Sequence, residues 1–260
     1  MSKTICVFLH YQDAKSWTID TKEEIFKEGK IIWAGYKPIQ LEHDDGVEWD
    51  EIVVVEYSNE ELYNDVLKYL AHESNINPYQ VLLLEPTSPK ELEMRNTMLR
   101  KARDDPNLSV DFTPASDIDK VYPSSDRYKW EKLFNGDYQN DIVMINLSKF
   151  YDVPKYPDEY KGTRKKTIEA AFAAYTTKAF PTLGKIGAQI DTAGGVLATL
   201  VSVRDINYEG YGFVHYPSVP AFRKIFTSKT RLEGVVHQLA AKNMELGDGY
   251  AIRPYKEFCF

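Results

Sequence analysis

The stretch Asp141-Ile-Val-Met-Ile-Asn-Leu-Ser-Lys-Phe150 decides the fold. Its apolar run is short and set between polar neighbours, as expected of a strand in a folded core. Toward the C-terminus, a helical pattern covers Tyr156 to about Phe180. Ile168, Ala171, Phe172 and Tyr175 share one face there, and Pro181 marks the stop. Lys185–Ile190 reads as a strand, Ala193-Gly-Gly195 as a hairpin turn, and Val196–Val203 as a strand beyond it. Gly212–Tyr216 is another strand. One helix is predicted from Val219 to about Leu246, burying Phe222, Ile225, Val235, Val236 and Leu239, and Tyr250–Phe258 closes the unit. The order is β-α-β-β-α-β, that of a ferredoxin-like module.

A weaker copy of this order begins at Thr4. Ile5–Tyr11 is apolar on both faces and reads as an interior strand. A brief helix from Thr21 to Glu28 follows, with Asp20 as N-cap and Gly29 as stop. Lys30–Tyr36 is the next strand, and Pro38 suggests an edge or an irregular end. His43-Asp-Asp-Gly46 is a tight turn. The β-branched run Glu51–Tyr57 is a strand. Ser58 and Glu61 have capping-box spacing before a helix with Leu62, Val66, Tyr69 and Leu70 on one face. Tyr79–Glu85 is the fourth strand, ended by Pro86.

The copies can be aligned. At an offset of 216 − 57 = 159 residues, Val55 falls on Val214 and Tyr57 on Tyr216, while Val54, Tyr63, Val66 and Leu67 fall on Phe213, Phe222, Ile225 and Phe226. Between the copies, Pro89–Arg103 is a charged helix and Ser125–Phe134 a shorter one carrying Trp130, Leu133 and Phe134. That aromatic content suits a connector docked on the second unit better than a flexible tether. The expected division is a first module over 1–86, a helical connector over 87–140 and a second module over 141–260.

The 260 residues carry 43% hydrophobic and 27% charged side chains, the range of a soluble globular chain. A formal charge of −7 argues against nucleic acid and anionic membrane, which both require a positive footprint. No run is long enough to span a bilayer. The two cysteines, Cys6 and Cys259, form neither a disulfide framework nor a zinc pattern, and a reduced cytoplasmic protein is expected. There is no Gly-rich phosphate loop, no His-x-x-x-His pair and no Gly-x-Ser-x-Gly elbow, and Arg164-Lys-Lys166 is a solvated helix face. Neither cofactor nor metal is called for.

Val143–Phe150, Gly184-Lys-Ile186 and His215-Tyr-Pro-Ser-Val-Pro-Ala-Phe222 together resemble the core pattern of an uncharacterised family. It is the domain of unknown function one-three-three-zero, of the dimeric α/β-barrel superfamily. The first unit is similar only through Gly29–Gly35 and Glu48–Tyr57, and it departs by carrying Ser58 where the second unit has Pro217-Ser218. The resemblance implies an α+β fold in which two ferredoxin-like modules set their sheets face to face, here within one chain as a tandem duplication. It also implies a pocket between the sheets for a small hydrophobic oxygenated molecule. Cofactor-independent monooxygenation, cyclisation and isomerisation all occur in that superfamily.

Glu56 and His215 occupy equivalent positions in the two copies. They make an acid–base pair if their face lines the interior, and solvated strand ends if it does not. Asn146 is placed to orient a carbonyl or to satisfy a backbone group. Tyr57 and Tyr216 are hydroxyl donors or packing aromatics, and Trp33 lines a cavity or fills the core. His10 is a pocket base or an edge histidine, and His237 is a satisfied helix histidine. Three roles follow: a small cofactor-independent enzyme, a non-catalytic ligand-binding or protein-interaction module, or a structural duplication in which one half lacks a site. The chain is either a monomer of pseudo-dimeric halves or a homodimer. A cavity lined by aromatics and convergent polar groups would favour the enzyme, and a filled interior the other roles.

Overall fold

A computed structural model describes residues 2–11, 26, 28–42, 47–72, 76–112, 127–135 and 140–255. The protein is α+β. Eight antiparallel strands close into one barrel, and six helices are present among the described residues. The strands are β1 (Lys3–Tyr11), β2 (Lys30–Glu42), β3 (Glu51–Tyr57), β4 (Ile76–Pro86), β5 (Ile142–Ser148), β6 (Gln189–Val201), β7 (Gly210–Tyr216) and β8 (Asp248–Pro254). Around the barrel their order is β1-β3-β2-β8-β5-β7-β6-β4, and β4 pairs again with β1. The N-terminal four strands thus run β4-β1-β3-β2 and the C-terminal four β8-β5-β7-β6. The seams are the antiparallel pairs β2–β8 and β4–β6.

Strand alternation assigns the faces. Cys6 and Phe8 of β1, Trp33 of β2, Ile52 and Val54 of β3, and Leu82 and Leu84 of β4 form one apolar cluster. Val143, Ile145 and Leu147 of β5, Tyr211 and Phe213 of β7, and Tyr250 and Ile252 of β8 belong to it, and Val196 of β6 packs against it. Residues from all eight strands meet only inside the barrel, so the interior is filled with side chains, as an eight-stranded barrel permits. Two hairpin connections add to it from one end: Val47 and Trp49 before β3, and Ile206 and Tyr208 before β7. The expected cavity between the sheets is occupied by these side chains.

The alternate residues face helices. α1 (Glu60–His72) covers β1, β3 and β4 through Tyr63, Val66 and Leu70. Its first turn is capped by Asn59, whose Oδ1 accepts from Leu62 N at 3.2 Å, in place of the expected Ser58. α2 (Pro89–Asp104) docks on β6 and on the helix over Ile168–Lys185, whereas α3 (Arg127–Asn135) lies across β2 of the first half and the helix over Val219–Thr227 of the second. Trp130 of α3 packs against Phe222 and Phe226 at 6.2 and 5.2 Å. α4 (Ile168–Lys185), α5 (Val219–Thr227) and α6 (Lys229–Ala241) complete the outer layer.

Five sequence expectations change. Residues 156–167 precede α4, which begins at Ile168 with Thr167 as cap and continues through Pro181. A helical proline costs about 3 kcal/mol. Packing outweighs that cost, because α4 lies against both α2 and α6. α4 stops at Gly187 (φ +78°), with Ala188 N donating to Leu183 O and Gly187 N to Gly184 O; this stretch reads from sequence as strand. The predicted Val219–Leu246 helix is two helices, broken where Ser228 caps α6. Ala193-Gly-Gly195 is no hairpin, since β6 runs straight through it, paired with β7 on one side and β4 on the other. Gly194 serves the seam: a Cβ there would lie 2.1 Å from the Glu85 carbonyl oxygen. Finally, β2 continues past Pro38 as an interior strand, with the proline absorbed in an irregularity beside Lys37 (φ +50°). Most of the predicted Thr21–Glu28 helix and the His43–Gly46 turn lie outside the described residues, as does Cys259.

The halves share more than strand order. β2 and β6, β3 and β7, and the starts of α1 and α5 are each separated by 159 residues. The register shift at Ile31/Trp33 of β2 recurs at the same offset as Ile190/Thr192 of β6. Val47 and Trp49 likewise correspond to Ile206 and Tyr208.

Candidate functional site

The two bulges build the site. An extra residue in a strand turns two consecutive side chains to one face. On β2 these are Ile32 and Trp33, both packed in the interior while Ile31 faces the helices. On β6 the equivalent pair is Asp191 and Thr192, with Ile190 and Ala193 on the outer face. A carboxylate thereby enters the end of an apolar barrel. β2 and β6 lie opposite each other in the ring of strands. The Trp33 indole crosses the interior and its Nε1 donates to Asp191 Oδ2 at 3.1 Å. Phe213 holds the indole edge-on at 4.7 Å. Beside Asp191, Thr192 Oγ1 and Tyr211 Oη hydrogen-bond at 3.1 Å.

His215 stands on β7, on the same inward face as Tyr211 and Phe213. Its Nδ1 is 3.6 Å from Asp191 Oδ1, and its Nε2 is 3.2 Å from Asp141 Oδ2, at the mouth just before β5. The side chains of Asp191, His215 and Asp141 are 5%, 16% and 41% exposed, so the series runs from the sealed interior outward. The Asp191 carboxylate, foremost, raises the imidazole pKa above its ordinary value; burial opposes the rise and Asp141 adds to it. The imidazole is held between two carboxylates that favour its charged form, with one ring nitrogen turned inward and the other toward the opening. It can donate a proton or stabilise an anion at Nε2. The carboxylates engage opposite edges of the ring, which is no metal-binding arrangement. Among the described residues, no three His, Cys, Asp or Glu side chains converge as a metal site requires.

The structure unites two of the sequence candidates, His215 and Trp33, through Asp191. The others lie elsewhere. Glu56 faces inward on β3, which is opposite β7 in the ring, and it makes no hydrogen bond with His215. Asn146 belongs to the helix-facing side of β5, where its Nδ2 reaches Met144 O at 3.5 Å. Tyr57 and Tyr216 are buried in the outer layers, and burial pushes both phenols up. The Tyr57 hydroxyl has no hydrogen-bond partner among the described residues, while Tyr216 packs against Phe222 at 4.8 Å. His10 pairs with Asp50 at 3.1 Å, near the start of β3. His237 bonds the Tyr156 hydroxyl at 2.7 Å on α6. Sequence reading overlooked Asp191 and Asp141. One stood beside a supposed turn and the other looked like a polar strand boundary. The usable signal was the 159-residue alignment, which sets Asp191 on Ile32 and so marks a charge at an apolar position.

At the other end, the segment before β7 is tied down. Arg204 Nη1 lies 2.6 Å from Asp248 Oδ1, and the Tyr208 hydroxyl donates to the same carboxylate. Ser202 Oγ donates to Gln80 Oε1 at 3.4 Å. These contacts fasten Ile206 and Tyr208 in the interior.

No described helix is long and apolar enough to cross a membrane. No protein-family model matches the chain, and no curated protein matches it. Several solved structures are similar at low scores, among them the following three. A protein of unknown function from Rhodopseudomonas palustris is 25% identical, over 52% of this chain and 97% of that one, with a TM-score of 0.43. A dye-decolorizing protein from V. cholerae is 9% identical over 97% and 93%, with a TM-score of 0.41. A chlorite dismutase variant from Candidatus Nitrospira defluvii is 8% identical over 99% and 93%, with a TM-score of 0.42. Likeness of this strength carries nothing about chemistry to the present chain.

Proposed function

We propose that the chain is a tandem pair of ferredoxin-like modules closed into an intramolecular dimeric α/β barrel. In this reading it is a cytoplasmic protein that binds a small hydrophobic oxygenated compound at the His215 mouth and moves a proton there without a cofactor. The 159-residue offset shared by β2 and β6, β3 and β7, the helix starts and the bulges supports the duplication over modules 1–86 and 141–260, with 87–140 as connector. A monomer suits this barrel, since every strand already has two neighbours within one chain.

The observation that carries the chemistry is the Trp33–Asp191–His215–Asp141 chain. Asp191, fixed from across the barrel, keeps Nδ1 protonated. Nε2–H is then the group presented to a ligand oxygen, to which it gives a proton or whose developing charge it stabilises. The filled interior favours a second reading, a ligand-binding or interaction module with no turnover.

A panel of small aromatic hydroxy and keto compounds, added to the labelled protein, tests both. Shifts in the His215 ring signals that vanish in His215→Gln, with turnover of the same compound, support the enzyme. Binding without turnover supports the module. Ligand binding unchanged in His215→Gln removes this mouth from either account.

A further inference from the structure

Asp141 and Asp191 treat His215 differently. Asp191 is sealed in and held by the Trp33 indole, so it cannot leave its place without emptying a packed interior. Asp141 lies ahead of β5, 41% exposed, and touches the imidazole from the open side. Under the reading of His215 as the working group, on which this inference rests, we propose that Asp141 is a built-in stand-in for the ligand. Its carboxylate occupies the position at Nε2 that the carboxylate of a small apolar acid takes when it binds. A carboxylate matches Nε2–H in charge and geometry. On the inner side, Trp33 packs edge-on against Phe213 and donates to Asp191, and Thr192 and Tyr211 hydrogen-bond beside it. Asp191 is then a positioning residue: it keeps the ring oriented and charged while the outer carboxylate is exchanged.

The arrangement sets an affinity threshold. A tethered carboxylate competes at an effective concentration of roughly millimolar or more. Removing it should tighten binding of a free acid by about tenfold or more.

Sodium benzoate is a suitable probe, followed through the His215 ring nitrogens by long-range proton–nitrogen correlation. Benzoate should move Nε2 at lower concentration in Asp141→Ala than in the native chain, and weakly or not at all in Asp191→Asn. The stand-in role is overturned if benzoate leaves Nε2 unmoved in Asp141→Ala, or binds equally to Asp141→Ala and to the double variant with His215→Gln. The wider reading fails separately: that outcome is a His215 titration midpoint shifted by neither Asp141→Ala nor Asp191→Asn. Native-like fluorescence of Trp33 in Asp191→Asn guards against a merely unfolded variant.

Discussion

Replacing Asp191 with Asn should destabilise the protein at acid pH and scarcely at alkaline pH. The substitution keeps the shape and leaves an oxygen for the Trp33 N–H, but it removes the charge and turns an amide NH2 toward His215 Nδ1. Opposite charges 3.6 Å apart attract by about 5 kcal/mol at an effective dielectric constant of about 20. Desolvation of a carboxylate this deeply buried offsets much of that, leaving a net loss of about 2 kcal/mol. The sign with pH follows from linkage. The folded pKa of His215 is raised above 6.5, so its contribution is complete below that value and is lost as pH rises through the folded pKa. Urea unfolding near pH 5 and near pH 9 measures it, at unchanged slope. The expected loss is about 2 kcal/mol at the lower pH and under about 0.5 at the higher. Equal losses at both would refute the ion-pair argument and leave Asp191 a plain packing residue. A loss larger at high pH would reverse the assigned charges.

Two further outcomes concern the barrel. Asp248→Ala should cost about 3 kcal/mol, because it strands the Arg204 guanidinium, only 20% exposed, and releases Tyr208; a loss below about 1 kcal/mol in urea unfolding would mean that the segment before β7 is not latched there. Gly194→Ala should cost about 1–3 kcal/mol by forcing β4 from β6 at the seam, whereas a Cβ on Gly212 meets nothing within 4 Å. Thermal unfolding of the two alanine variants compares them, and equal losses would contradict the close approach.

Several features were legible without coordinates. The runs Glu51–Tyr57 and Ile142–Leu147 were readable as strands because β-branched and apolar side chains on both faces need cover on both sides. The Tyr57/Tyr216 register was readable because alternation is a local, period-two property. The trap was Ala193-Gly-Gly195. Glycine serves equally for a turn and for a close strand approach, and only the position of Glu85 on a neighbouring strand distinguishes them. Pro181 misled in the same manner, since its helix is sustained by α2 and α6.

The sequence by itself determined most strands and helices and marked His215 as a group worth attention, all of which follow from neighbouring residues and their spacing. Tertiary structure decided that the halves join edge to edge, that the interior is packed, and that bulges on opposite strands bring Trp33 to Asp191. Those residues stand 158 positions apart in the chain. No local pattern encodes a contact across a barrel; it exists only once closure fixes the distance between the two walls.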